Sequence, residues 1–431
     1  MRLELGTFEV RDAHFGSSTV IERGVLTVNK EELRRQILED AAFSDAEVHI
    51  ARPGEGTRIN GVREVMEPRW KVEGPGQVFP GFVGPPVTVG EGKTNRLAGT
   101  ALIAVSERLP AEGSSPLGHA LIDMVGPGAE CCPFGKTINV VLHLKPNTEA
   151  FPDLLEEPKF RDPLGGSAHV VAYNRSVTKC AVKVAAYLGR ATEGLKPDGV
   201  EVFQLGPCDP SLPKVAVLHE ENVVTIYGAR TLRGPLWTGA LMHPNESFDG
   251  AVVIRNGATY LEQNSDVLLG LCRLHGKEVN FVGYVIFGGE TPSLEEKERV
   301  SSAASSLVRL LGTQGVVFQG ISGSNYQVDT MWTLKKLEQA GIKTSLIISE
   351  SGVGPEDPGF TFCEPEAIAI VNAGSGNRPI KLPAIKKVIG GETLVISDKE
   401  WDARGELNLS VSSIHSAVNV ISMNHLTTRL Y

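Results

Sequence analysis

The residues best suited to chemistry lie in one central stretch, residues 241–264. A polar cluster there precedes an apolar run at residues 251–254, and a second polar cluster follows Asn256-Gly257. Polar side chains are costly to bury without partners, so this density predicts a functional site. The candidate residues are His243, Asn245, Glu246, Asp249, Asn256, Thr259, Tyr260, Gln263 and Asn264.

Three residues of the first polar cluster are candidates for proton transfer. His243 and Asp249 could act as an acid/base pair, with Glu246 as a further carboxyl group. The alternative is a structural role, or a supporting role behind the substrate contacts. The remaining polar residues of the stretch are predicted to bind substrate. Asn256-Gly257 itself could form a turn, because the dipeptide favours positive φ, or could mark a site of main-chain cleavage.

A second candidate feature is the adjacent pair Cys131-Cys132, which follows a Gly-Pro-Gly loop. These thiols could provide a nucleophile or a metal ligand, or they could be small buried apolar groups. A metal site would need further ligands, for example His119 or His243. The sequence leaves these alternatives open.

Two loops rich in small polar residues, residues 320–325 and 372–377, could hold an anion or a substrate. Neither is a P-loop, because no Gly-Lys-Ser/Thr follows. Ordinary turn chemistry between a strand and a helix is the alternative. The candidate substrate-binding residues in these loops are Ser322, Ser324, Asn325 and Asn372.

The elements that must position these residues predict an α/β protein. Residues 1–145 contain short strands punctuated by glycine and proline, which indicates a β-rich N-terminal domain. Residues 146–278 form a middle α/β region that carries the central stretch. Residues 279–431 alternate strands, loops and helices, which is typical of a doubly wound, mostly parallel sheet. Ligands of such sheets bind at the carboxyl ends of the strands, where both small-residue loops are expected.

Capping residues predict where two helices begin. Asn29 precedes a helix expected from Lys30 to about Glu39, and its side chain is a good acceptor for the first free N–H groups. Pro292-Ser293 precedes a helix expected over residues 295–311.

Composition narrows the class of protein. The 431 residues have 41% hydrophobic and 22% charged content, and the net charge is -9. This acidity argues against nucleic acid or an anionic membrane as the partner. The six cysteines show no CxxC spacing and are predicted to be reduced thiols. The sequence has no apolar signal or membrane-spanning segment, so we expect a cytoplasmic protein.

Several motifs distributed along the chain point to one family. They are residues 1–6 (MRLELG), 24–32 (GVLTVNKEE), 126–130 (GPGAE), 243–246 (HPNE), 249–253 (DGAVV), 275–281 (HGKEVNF), 335–338 (KKLE) and 341–344 (GIKT). With these motifs the chain resembles the alpha/beta proprotein subunit of component B of the glycine/sarcosine/betaine reductases over most of its length. The resemblance implies self-cleavage after the DGAVV run, before a cysteine that becomes a pyruvoyl group. The pyruvoyl ketone then forms a Schiff base with the substrate amine, and a partner subunit bearing selenocysteine or cysteine takes part in reductive C–N cleavage.

The chain departs from that family at the cleavage site. No cysteine occurs between Asp249 and Leu271. Gly257 follows Asn256 and has no side chain to attack the peptide, and Thr259 is the nearest hydroxyl. We therefore expect an uncut chain without pyruvoyl and predict no other cofactor, while the presence of a metal is left open.

Three functions remain after this comparison. The first is a cofactor-free substrate-binding subunit for a small amine or amide, which acts with a thiol- or selenol-bearing partner in a hetero-oligomer. The second is a stand-alone hydrolase or lyase that uses Cys131 or Cys132 with His243. The third is a non-catalytic scaffold subunit.

Overall fold

The computed structural model describes residues 1–112, 120–156, 168–221, 224–230, 239–254, 258–289, 291, 293–352, 359–396, 399–422 and 427–428. The α-helices of this part of the chain are α1 (Lys30–Ile37), α2 (Gly126–Cys131), α3 (Ala168–Gly189), α4 (Pro244–Phe248), α5 (Thr259–Gln263), α6 (Asp266–Leu274), α7 (Leu294–Leu310) and α8 (Ser324–Gln339). None of them is long and apolar enough to cross a membrane.

The strands occur in three groups along the chain. The first group is β1 (Arg2–Glu9), β2 (Asp12–Phe15), β3 (Val20–Glu22), β4 (Val25–Val28), β5 (Phe43–Ala51), β6 (Thr57–Met66), β7 (Arg69–Glu73), β8 (Gly92–Ala98), β9 (Thr100–Val105), β10 (Ala120–Asp123) and β11 (Ile138–Pro146). The second group is β12 (Gly199–Gln204), β13 (Lys214–Glu221), β14 (Val224–Ile226), β15 (Ala229–Arg230), β16 (Ala240–Met242), β17 (Val252–Ile254) and β18 (Asn280–Gly288). The third group is β19 (Gly315–Gln319), β20 (Lys343–Glu350), β21 (Ile370–Ser375), β22 (Pro379–Leu382), β23 (Lys387–Ile389), β24 (Thr393–Ile396), β25 (Lys399–Asp402), β26 (Leu407–Ser410) and β27 (Thr427–Thr428).

The N-terminal part is β-rich, as the sequence predicts. One sheet has the order β12-β1-β8-β7, and a second has the order β10-β6-β9-β11-β5 with β23 beside β6. The pairs β1–β12 and β6–β23 join strands from different predicted domains. The domain boundaries at residues 145 and 278 stay predictions, and these two strand pairs cross them.

A seven-stranded sheet with the order β16-β18-β13-β19-β20-β21-β27 forms the α/β part. Its five inner strands are parallel, and the two edge strands are antiparallel. Counted along the chain, the parallel strands lie in the order second, first, third, fourth, fifth. The connections that follow the first and third strands, β13 and β19, therefore diverge, which opens the crevice where ligands of such sheets bind.

This sheet is covered on both faces. Val285 and Phe287 of β18 pack into a core with α7 and α8, while Tyr284 and Ile286 pack into a different core with α6. The alternation follows from the two-residue period of a strand. The α/β fold predicted from the sequence is thereby confirmed.

Both predicted helix starts are present. The Asn29 side chain accepts the N–H of Glu32 at 3.0 Å, and α1 begins at the next residue. Ser293 caps α7 and exchanges hydrogen bonds with Glu296, so the two residues form a capping box. The sequence thus determines these boundaries locally.

Candidate functional site

The first polar cluster of the central stretch builds the short helix α4. His243 is its N-cap: its backbone N–H donates to the carboxylate of Glu246 at 2.6 Å, and its Nδ1 accepts the N–H of Asn245 at 3.2 Å. The side-chain amide of Asn245 donates to the carbonyls of Gly90 and Phe203. These three candidate residues therefore cap the first turn of α4 and bond the helix to β12 and to the loop before β8.

Asp249 follows α4 and is fully buried. Its carboxylate forms a buried ion pair with Lys71 and accepts the N–H of Gly90 at 2.7 Å and the hydroxyl of Thr94 at 2.6 Å. Three donors, one of them charged, satisfy both oxygens. This arrangement holds a carboxylate in place, and it offers no lone proton acceptor to a substrate.

The protonation of His243 also differs from that expected of a simple acid/base pair. Burial lowers the pKa of His243 to about 4, so its imidazole is neutral near pH 7. Its Nε2 is buried and has no hydrogen-bond partner among the described residues. Tyr227, which the sequence did not single out, donates its hydroxyl to Glu246. Burial, followed by the charge of Glu246, raises the pKa of Tyr227.

The second polar cluster begins with Thr259 at the start of α5. Its N–H donates to Glu64 at 3.3 Å, and its hydroxyl accepts the N–H of Ile254 at 3.0 Å. Glu64 is fully buried, and burial raises the pKa of its carboxyl group well above 4.5. The neighbouring Tyr260 ring packs edge-on against Phe134 with centroids 5.4 Å apart.

Gln263 and Asn264 attach the end of α5 to the N-terminal strands. The side-chain amide of Gln263 pairs with the backbone N–H and carbonyl of Glu67, at 2.9 and 3.2 Å. The side-chain oxygen Oδ1 of Asn264 accepts from Arg69 at 2.8 Å and from Arg96 at 2.9 Å. Both candidate residues are thus fully engaged within the protein. Asn256 lies outside the described residues, so its prediction has no structural counterpart.

The two cysteines differ in exposure. Cys132 is buried, its thiol donates to the carbonyl of His415 at 3.1 Å, and burial raises its pKa to about 12. It is therefore a neutral thiol near pH 7 and a poor nucleophile. Cys131 ends α2 and is partly buried. Among the described residues neither cysteine belongs to a cluster of three metal-ligating side chains, and His119 lies outside that part of the chain.

A cavity of about 390 Å³ opens at the carboxyl ends of β19, β20 and β21, and we name it the sheet-edge cavity. It is lined by Ala120, Ser322, Ser349, Glu350, Ser351, Gly376, Asn377, Ser412, Ile414, His415, Ser416 and Val418. The hydroxyls of Ser322 and Ser349 lie 2.5 Å apart, and the Asn377 side chain donates to the Ser351 carbonyl at 2.6 Å. This polar lining lies at the carboxyl ends of the parallel strands, the edge where ligands of such sheets bind, and on the β20 and β21 side of the switch point between β13 and β19.

The other predicted loop residues lie within β21 and at the start of α8. Asn372 lies within β21, because the strand continues to Ser375 beside β20, and its side chain accepts the N–H of Gly374 at 2.7 Å. Ser324 begins α8, and the carbonyl of Asn325 accepts from Lys297 at 2.9 Å. Among the predicted loop residues, Ser322 lines the cavity.

Sequence reasoning missed the carboxyl end of β13. Glu220 is fully buried there; one carboxyl oxygen accepts from the Ile321 N–H at 3.2 Å and from Thr330, and the other has no partner among the described residues. Burial raises the pKa of Glu220 well above 4.5. A signal existed in the sequence, because His219 and two carboxylates follow the apolar run at residues 215–218 of this strand.

His219, the preceding residue, belongs to a buried network. The Nδ1 of His219 donates to the Tyr284 hydroxyl at 2.9 Å, and this hydroxyl donates to Glu262 at 2.8 Å. The Nε2 of His219 forms an ion-pair contact with Glu221 at 3.1 Å. Burial alone lowers the pKa of His219, but hydrogen bonds and charges of Glu221 and Glu262 outweigh it and raise the pKa to about 9. Ser247 of α4 also donates to Glu262, so the central stretch is bonded to the sheet.

The C-terminal segment links the two groups of candidate residues. Ser422 donates to the Asn264 carbonyl at 2.8 Å, and Val420 accepts from Gln319 at 2.8 Å. Described residues of the central stretch do not line the sheet-edge cavity. The described part of the central stretch is therefore a packed region that supports the edge of the sheet, and the sheet-edge cavity lies beside it.

Comparison with known proteins identifies relatives over the whole chain. A family profile of glycine/sarcosine/betaine reductase component B subunits matches residues 1–422. The chain is 33% identical to the glycine reductase complex component B subunits alpha and beta of Acetoanaerobium sticklandii, and 33% identical to the sarcosine reductase complex component B subunit alpha of Peptoclostridium acidaminophilum, over 100% of each chain. It is 30% identical to the betaine reductase complex component B subunit alpha of Peptoclostridium acidaminophilum, over 90% of this chain and 88% of the relative. No solved structure matches the chain.

Proposed function

The chain belongs to the family of glycine/sarcosine/betaine reductase component B subunits, and from this premise we propose that it is the substrate-binding subunit of a reductase complex that acts on C–N bonds of small amines. The match over residues 1–422 carries this proposal. The relatives named above belong to complexes for glycine, sarcosine and betaine, which are small molecules with one nitrogen centre.

The sheet-edge cavity is the substrate site in this proposal. Its volume of about 390 Å³ is at the small end of ligand pockets, which suits a compact amine. Glu350 supplies a carboxylate for a positively charged nitrogen, and Ser349 and Ser351 supply hydroxyl oxygens. These residues bind and orient the substrate.

A pyruvoyl group does not fit this chain. Its family precursor is a cysteine, and the first one after Asp249 is Cys272. Cys272 lies within α6, where burial raises its pKa to about 12. The nearest hydroxyl, that of Thr259, is buried and accepts the N–H of Ile254. We therefore propose that the polypeptide is uncut and carries no pyruvoyl group.

In this proposal the reducing group comes from outside this subunit. Cys132 is a neutral, buried thiol, and the relatives are named as components of complexes. We assign the reactive thiol or selenol to a second subunit, as the family resemblance implies. The role of this chain is to bind the amine and to present its C–N bond to that partner.

Binding and co-purification test the proposal together. Calorimetric titration of the purified chain with glycine, sarcosine and betaine should give binding of at least one of them, and Glu350→Gln should weaken it. Glu278→Gln, which changes an exposed carboxylate, is the matched control and should bind normally. Binding that ignores Glu350→Gln contradicts the assignment of the cavity.

The complex and the cofactor have their own measurements. Purification from the native host should yield a partner with selenocysteine or a reactive cysteine, identified by peptide mass spectrometry. The intact mass should be that of one 46.2 kDa chain. Two fragments that sum to the chain would contradict the absence of self-cleavage. Turnover by the chain alone would favour the stand-alone hydrolase or lyase, and failure to bind any amine would favour the scaffold.

A further inference from the structure

A cluster of two histidines and a glutamate lies on the N-terminal sheet, away from the proposed substrate site. In the antiparallel pair β5–β11, His143 is directly opposite Glu47, and His49 is opposite Val141. Glu47 and His49 are two residues apart on one strand, as are Val141 and His143 on the other. The three polar side chains therefore project from the same face of the sheet.

The three side chains converge. One potential ligand atom of each lies within 4.8 Å of the other two, and Nε2 of His49 is 3.3 Å from a carboxylate oxygen of Glu47. Glu107, just beyond the end of β9, adds a carboxylate oxygen 3.8 Å from Nε2 of His143. Imidazole nitrogen with carboxylate oxygen is a donor set that Zn²⁺ binds well.

An unpartnered atom points to a ligand at this place. His143 is only 7% exposed, and its Nε2 has no hydrogen-bond partner among the described residues. A buried polar atom without a partner destabilises the folded protein. A bound cation would satisfy this atom, and neither Glu47 nor His49 hydrogen-bonds it.

Lys145 competes with a cation for the Glu47 carboxylate. Lys145 donates to one oxygen of Glu47 at 3.0 Å and lies 3.6 Å from Asp45. The second oxygen of Glu47 faces His49 instead. Asp45 and Glu107 add negative charge around the cluster, which offsets Lys145 and leaves a carboxylate oxygen for a cation.

We propose that Glu47, His49 and His143 form a binding site for a divalent transition-metal cation of the Zn²⁺ class. Three protein ligands leave a fourth position for water or for Glu107. Zinc–ligand bonds of about 2.0–2.2 Å put tetrahedral donors roughly 3.4 Å apart. The Glu47–His49 pair, at 3.3 Å, already meets this spacing, and donor atoms up to 4.8 Å apart must draw together by at most about 1.4 Å on binding. The cation then joins β5 to β11. Glu107 also lines a neighbouring groove of about 640 Å³, so the site lies next to that groove.

Metal titration of the full chain, prepared without a polyhistidine tag, tests this site. Zn²⁺ should bind with one-to-one stoichiometry in calorimetry, and Co²⁺ should give the visible absorption of a tetrahedral complex. His143→Gln should weaken Zn²⁺ binding by at least about 100-fold, because loss of a direct ligand exceeds the usual loss for a supporting residue. His49→Gln, at a partly buried position near the surface, should do the same without disturbing the core.

Two control variants separate ligation from a change in the sheet surface. His14→Gln removes an exposed histidine and should leave Zn²⁺ affinity unchanged. Lys145→Gln removes the competitor of the cation and should leave the affinity equal or higher. Equal weakening by Lys145→Gln and His143→Gln would overturn the assignment. Weak binding of the same strength in wild type, His49→Gln and His14→Gln would overturn it as well.

Discussion

The ion pair between Asp249 and Lys71 gives the sharpest test of how the central stretch works. Both side chains are buried, with 0% and 2% exposure, and Asp249 also accepts hydrogen bonds from Gly90 and Thr94. Asp249→Asn keeps the size of the side chain and an acceptor oxygen, but it leaves the Lys71 ammonium buried without its counter-charge. We expect a loss of about 3–5 kcal/mol in the free energy of unfolding.

This loss can be measured by urea and by heat. Unfolding entropy of about 2.1 cal/mol/K per residue over 431 residues gives about 0.9 kcal/mol/K, so Tm should fall by roughly 3–6 °C. The double variant Lys71→Met with Asp249→Asn removes both charges and should recover part of the lost stability. Asp209→Asn, at an exposed position, is the control and should change stability by less than about 0.5 kcal/mol.

The opposite result would restore a catalytic role to Asp249. If Asp249→Asn keeps wild-type stability and abolishes turnover of the reconstituted complex, the pairing with Lys71 is not its main task. If the double variant is no more stable than Asp249→Asn, the buried charge of Lys71 is not the source of the loss. Circular dichroism of each variant before unfolding establishes that the comparison starts from the same fold.

Three further predictions concern protonation. The pKa of His219 is raised to about 9, so the stabilisation by its protonated form is complete below about pH 6.5 and is lost as pH rises through 9. Urea unfolding should show that the free energy of unfolding falls by on the order of 3 kcal/mol over this range, and His219→Gln should remove the fall. Burial raises the pKa of Glu220, so wild type should lose stability as pH rises above about 4.5 while Glu220→Gln does not. The free energies of unfolding of the two proteins should differ by less than about 1 kcal/mol near pH 5. A wild type that gains stability as pH rises over that range would contradict the raised pKa of Glu220. Alkylation of the native chain should modify the exposed Cys363 and spare Cys132 until denaturant is added, as read by peptide mass spectrometry; early labelling of Cys132 would show an accessible thiolate.

Local signals in the sequence were reliable where the physics is local. A side chain such as Asn29 or Ser293 caps a helix through N–H groups within three residues, so its neighbours in sequence suffice to predict it. Strand alternation likewise indicated a β-rich N-terminal part and a parallel sheet later in the chain. The crevice at the carboxyl ends of the strands followed from that topology, and Ser322 lines it.

The density of polar residues in the central stretch could not be interpreted in the same way. A substrate site and a buried ion-pair network both place carboxylates, amides and histidine among apolar residues. The difference lies in partners that are remote in sequence: Asp249 meets Lys71 across 178 residues, and Asn264 meets Arg69 across 195. The sequence gives no local sign of such pairs.

The sequence by itself determined the family, the α/β class, the helix starts and the absence of cysteine between Asp249 and Leu271, because each depends on residue identity or on short-range periodicity. Only the tertiary structure decided which polar groups are already satisfied and which face open space. It buried the central stretch, gave His219 two carboxylate neighbours, and brought Glu47 and His143 together from strands almost a hundred residues apart. The physical reason is that burial and charge pairing are properties of the packed chain, and they set the free energy and protonation state of each side chain.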